Sequence, residues 1–120
     1  MKSKHTLLLL FLTITMAIFS CKKDVMERSQ TVEYLYSMYK NGEISECKYN
    51  GDTVYISGIH AVDAGATIYS KFGQKIGDCN WAWGPVDSIC YKLTDCEVIY
   101  REKSENDYWG PAVDKYNLAH

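Results

Sequence analysis

The stretch ECKYNGDTVYIS, Glu46 to Ser57, decides how this chain folds. Asn50-Gly51 stands between two runs rich in β-branched and aromatic residues. Both central positions of a type I′ turn need positive φ, which Asn and Gly tolerate best, so this dipeptide predicts a tight antiparallel hairpin. Side chains alternate across a strand, so Val54, Ile56 and Gly58 are expected on one face and Thr53 and Tyr55 on the other. ATIYSKFGQKIGDC, Ala66 to Cys79, repeats the pattern, with Ile68-Tyr69, a turn at Gly73, then Lys75-Ile76. Two consecutive hairpins make a meander, with GIHAVDAGA, rich in small residues, looping between them.

Upstream the period changes. Val32, Leu35, Tyr36 and Tyr39 fall at i, i+3, i+4 and i+7, one apolar stripe of a helix that Ser29 is placed to cap and Asn41-Gly42 to stop. Downstream, Pro85 is placed to open a short second helix with Val86, Ile89, Cys90 and Leu93 on one side. Glu97 to Arg101 reads as a last strand. Trp109, Val113, Tyr116 and Leu118 are expected to dock the polar tail back, with a helical turn after Pro111. The expectation is one α+β domain over residues 29–120: an antiparallel sheet of about five strands, an N-terminal helix, a short second helix, and disulfides.

The first twenty residues read differently. Lys2, Lys4 and His5 precede an uncharged apolar run from Thr6 to Phe19. That run is shorter than the ~20 residues of a membrane span and has the form of a signal peptide. It ends in Ile18-Phe19-Ser20-Cys21. Here the chain resembles bacterial lipoprotein precursors, in which an apolar, any, small, Cys box marks the cleavage point. Ile stands where that family more often has Leu. The resemblance implies cleavage before Cys21, diacylation of its sulfur, and a lipid-anchored tether over 21–28. Residues 44–101 also resemble small uncharacterised lipoproteins of Bacteroidetes, through CKYNGDTVY, IYSKFGQKIGDC and the closing cysteines. This resemblance implies an outer-membrane address, with either face open, and carries no catalytic residues.

Loss of Lys2 and Lys4 with the leader would move the net charge from −2 to −4. A mildly acidic chain without a basic run is a poor nucleic-acid ligand, and its expected membrane contact is the lipid. Of five cysteines, Cys21 is assigned to lipid. Cys47, Cys79, Cys90 and Cys96 are an even set in a short exported chain and predict two disulfides. No two stand two to four residues apart, the spacing of zinc ligands, and no metal or cofactor motif is present. The pairing preferred here is Cys47–Cys79 with Cys90–Cys96, and Cys79–Cys90 with Cys47–Cys96 stays open.

Candidate chemistry is sparse. His60 and Asp63, three apart on a loop, could form half of a base dyad, but no nucleophile accompanies them. The scattered aspartates fit turns rather than a calcium loop. Trp81 and Trp83 in CNWAWGP, with Tyr108 and Trp109, suit an aromatic surface for a protein or glycan ligand. The expectation is a non-enzymatic binding module at the outer membrane, which includes an inhibitor or immunity role. The alternatives are a small envelope hydrolase using His60 and Asp63, and a structural subunit of an envelope complex.

Overall fold

The computed structural model describes residues 27–120. The expected leader, Cys21 and most of the expected tether lie outside them. A helix, α1, occupies 27–39 of the described residues. It is followed by strands β1 (Gly42–Tyr49), β2 (Asp52–Ile59), β3 (Ala66–Ser70), β4 (Lys75–Cys79), β5 (Thr94–Arg101) and β6 (Val113–Asp114). They form one antiparallel sheet in the order β4-β3-β2-β1-β5-β6. The meander is as expected, with Asn50 and Gly51 both at positive φ in the β1–β2 turn.

Several expectations change. The sheet has six strands, because a two-residue strand, and no helix, follows Pro111. The expected second helix is a 3₁₀ turn over Ser88–Tyr91. β5 begins at Thr94 rather than Glu97. Residues 27 and 28 are already helical, so Ser29 lies inside α1 and does not cap it.

Each face of the sheet is covered by something different. α1 lies on the first face, where Val32 and Leu35 are buried with Ile44, Tyr55, Tyr69, Ile99, Tyr100 and Leu118. The predicted stripe is the side that packs, since Tyr36 and Tyr39 join the same cluster. Burying a side chain of this size contributes about 1.5–3 kcal/mol. The Tyr39 and Tyr69 hydroxyls meet at 2.6 Å, and the Tyr100 hydroxyl donates to the Lys40 carbonyl at the end of α1. Burial pushes the Tyr55 phenol up to about 12, helped by the Glu46 charge, and raises Tyr69 as well. Like charges face each other across β1 and β5 at Glu46 and Glu97. Each has its own cation: Arg28 approaches Glu46 to 3.5 Å and Lys115 approaches Glu97 to 2.9 Å.

On the second face Cys47, Val54, Ile68 and Cys79 are covered by Ile89, Cys90 and Leu93. The crossing segment passes close to the sheet because Gly77 has no Cβ; one built there would lie 2.6 Å from Ile89 Cγ2.

The disulfides are Cys47–Cys96 and Cys79–Cys90, which overturns the preferred pairing. Strand order explains why. Cys47 on β1 and Cys79 on β4 are separated by β2 and β3. Three strand spacings come to about 14 Å, twice the ~7 Å limit between bridged Cα atoms. Cys96 instead lies on the strand beside Cys47, within a register shift between Lys48–Thr94 and Glu46–Glu97.

Candidate functional site

The molecule has two ends along its strands. At the hairpin end, Glu27 and Arg28 of α1 share a cleft with Gly51 and Asp52. At the far end lie the loop 60–65, the turn after Cys79, and residues 102–112. The last segment leaves β5 with the Glu102 amide on the Gly42 carbonyl and returns at Val113.

All four aromatic residues singled out in the sequence are at the far end and open to solvent. Trp81 is 56 % exposed, Trp83 77 %, Tyr108 78 % and Trp109 38 %. They form two groups. In the first, the Asn80 side chain accepts from the Trp83 amide at 3.1 Å and sets the turn. Trp81 meets Tyr91 edge-on at 5.4 Å. Tyr91, 70 % exposed, was not anticipated. Its signal was present: it falls outside the stripe of Ile89, Cys90 and Leu93 that buries the segment, and the neighbouring Cys90 bond to Cys79 fixes its backbone.

The second group is built around His60, whose side chain is 7 % exposed. Its ring stacks on Trp109 with centroids 4.9 Å apart and planes within 13°. Tyr108 meets the same indole edge-on at 5.0 Å. His60 Nδ1 lies 3.0 Å from Glu102 Oε1, and Nε2 lies 3.8 Å from Glu43 Oε2. Arg101 Nε donates to that Glu43 oxygen at 2.6 Å, and its Nη1 to the Pro111 carbonyl at 3.3 Å. Gly110, at φ +114°, lets the chain pass, because a Cβ there would sit 2.7 Å from Arg101 Nη1. Trp109 is thus held flat by a ring, and the ring by carboxylates.

The expected dyad is not formed. His60 takes its carboxylates from Glu102 and Glu43, whereas Asp63 sits exposed at positive φ in the loop, a turn position. His60, Trp109, Ser45, Ile56, Gly58 and Ala66 line an open groove of about 260 Å³ on the second sheet face, on the same side as the Tyr91 turn. The rings pair within each group and not between them. Among the described residues no cluster of three His, Cys, Asp or Glu side chains could hold a metal ion, and no helix is long and apolar enough to cross a membrane.

No protein-family model matches the chain, and comparisons with curated proteins and with solved structures found no match.

Proposed function

We propose that this chain is a cell-envelope binding module, lipid-anchored at Cys21 in the outer membrane, whose far end recognises a protein partner. The observation that carries the reading is the gathering of Trp81, Trp83, Tyr91, Tyr108 and Trp109, all exposed, at one end of a small domain. Large exposed rings cost solubility, and Trp and Tyr are the residues that dominate binding energy in protein interfaces. Ile59 and Val62 are exposed beside them. Aliphatic side chains gain little against a hydroxyl-covered glycan and gain fully against another apolar protein surface. That favours a protein over a sugar. Asp63, Glu105 and Asp107 rim this end and suit a partner carrying cations. The lipid anchor is supported by the Ile18-Phe19-Ser20-Cys21 box and agrees with two disulfides, which persist in oxidising compartments.

The test is site-specific photo-crosslinking in the native envelope. A benzophenone amino acid replacing Trp83 or Tyr108 should give one discrete adduct, lost when Trp81→Ala and Trp109→Ala are combined. The same probe replacing Ser37, on the exposed side of α1, should give none. Adducts of equal yield from all three positions, or none from any, would refute the reading.

A further inference from the structure

Four large apolar side chains are exposed away from the aromatic groups of the far end. Phe72 stands at the tip of the β3–β4 turn, at the hairpin end, and Tyr34 and Met38 are one turn apart on α1. Ile76 is the fourth. Gly77 and Cys79 lie on the second sheet face, so by alternation Ile76 is on the α1 side of β4. The turn is built to hold Phe72 out. The Ser70 hydroxyl accepts from the Phe72 amide at 3.2 Å and from the Gln74 amide at 3.3 Å, and the Thr31 hydroxyl of α1 donates to the Lys71 carbonyl at 2.6 Å. Tyr34 lies against the same turn, its Cδ1 3.4 Å from where a Cβ on Gly73 would stand. Phe72 and Tyr34 are each more than half exposed and line a small cleft with Glu27.

Charge does not account for this patch. Arg28 is paired with Glu46, and Lys71 shares the neighbouring cleft with Glu27 and Asp52. The patch is also small for a protein partner of its own. Four partly exposed side chains offer about 400 Å² at aromatic areas of ~200 Å² each, half of the ~800 Å² that each side of a stable interface buries. Its position sets it apart. Six residue steps separate Cys21 from Glu27, at most about 20 Å of extended chain. Tyr34 and Phe72 are beside Glu27. The eight residues of β2 carry the far end about 27 Å away.

We infer that Phe72, with Tyr34 and Met38 behind it, inserts into the interface of the bilayer that holds the lipid on Cys21. The inference rests on that anchor. The occupant is the apolar boundary of an uncharged phospholipid layer, and no headgroup charge is required. Tethering makes the contact intramolecular, so a patch too weak to bind by itself is occupied. A protruding ring needs a matching cleft in a protein, whereas lipid closes around it. Lys71 Nζ lies 5.2 Å from the Phe72 ring centroid, and its long stem lets the ammonium stay in headgroup water while the ring enters. Insertion at this end leaves Trp81, Trp83 and Trp109 turned away from the bilayer and open to the partner.

The lipidated chain on phosphatidylcholine vesicles with a trace of alkyne-tagged phosphatidylcholine tests the proposal. Flotation is read first. A benzophenone amino acid replacing Phe72 should then give a lipid adduct on irradiation, and the same probe replacing Trp83 should give none. The adduct should persist in about 1 M salt, where screening shortens to about 3 Å. The probe replacing Met38 should also label lipid, and Phe72→Ser should lower that yield about tenfold, the partition of one aromatic side chain. Tyr34→Ser should lower it too; both side chains are exposed, so the fold survives. Floating chains that give no lipid adduct from position 72, equal yields from 72 and 83, loss of the adduct in salt, or an adduct between two protein chains from 72 would overturn the insertion while leaving the anchor intact. A wild-type chain that fails to float would overturn the anchor and the inference with it.

Discussion

Replacing Cys47 and Cys96 together with alanine should destabilise the domain by about 4 kcal/mol, and replacing Cys79 and Cys90 by about 3. The figures follow from the loops the bonds close. Sequence separations of 49 and 11 residues confine the unfolded chain by about 13.7 and 9.3 cal/mol/K on the chain-entropy relation, or about 4.1 and 2.8 kcal/mol at 25 °C. Packing does not separate the two bonds, since Cys47 and Cys79 are both buried in the cluster on the second sheet face. A domain of this size has about 5–15 kcal/mol in all, so the first variant approaches the threshold of folding. Urea unfolding followed by tyrosine and tryptophan emission measures both midpoints. The two variants should differ in more than stability. Without Cys79–Cys90 the sheet should unfold cooperatively as before, but the Ser88–Tyr91 turn loses its bond to β4, and Tyr91 no longer offers Trp81 a fixed surface. Crosslinking from position 83 should weaken under conditions where the domain is still folded. The reasoning fails if the Cys79/Cys90 variant is the less stable of the two, or if the Cys47/Cys96 variant loses less than about 1 kcal/mol.

His60→Ala removes the ring beneath Trp109 and the contact with Glu102; a charged hydrogen bond of this kind contributes about 1.5–3 kcal/mol, and a red shift in tryptophan emission should accompany its loss. Unchanged emission would show that the stack does not hold Trp109. Gly77→Ala forces a methyl against Ile89 Cγ2 and should cost about 1–3 kcal/mol, with part of the loss recovered on adding Ile89→Ala, as read from urea midpoints. In alkali, the unfolded Tyr55 phenol ionises from pH 10 while the folded one holds its proton to about 12, so stability falls by about 1.4 kcal/mol per pH unit across that window and no further above it. Urea midpoints between pH 9 and 12 should therefore fall less steeply for Tyr55→Phe.

Local features of the chain were legible in the sequence. Asn50-Gly51 specified its own turn by backbone chemistry, and the Val32-Leu35-Tyr36-Tyr39 stripe specified which side of α1 packs. What was not legible depends on distant neighbours. β5 starts at Thr94, yet its first four residues are exposed and show no alternation, because they lie beside the bulged part of β1. The two residues of β6 carry no periodicity to detect. The cysteine pairing needed the strand order, which no local pattern contains. His60 found Glu102, 42 residues away, in place of nearby Asp63, because Gly42 brings the end of β5 alongside the loop. The exposed tryptophans were foreseen as a group, while their division between Tyr91 and His60 came from the two covering segments.

The Cys47–Cys96 bond also governs how the domain would carry a mechanical load. A partner pulling on Trp109 against an anchor at Cys21 draws the chain along the strand direction. The bond short-circuits the path between residues 47 and 96, so β2, β3, β4 and the Tyr91 turn bear no tension. Only α1, β1 up to Cys47, β5 from Cys96 and the segment from there to Trp109 can pay out. Under strain the path would lengthen by unwinding α1 from the sheet, while the strands between Cys47 and Cys96 stay in register and Trp81, Trp83 and Tyr91 keep their places.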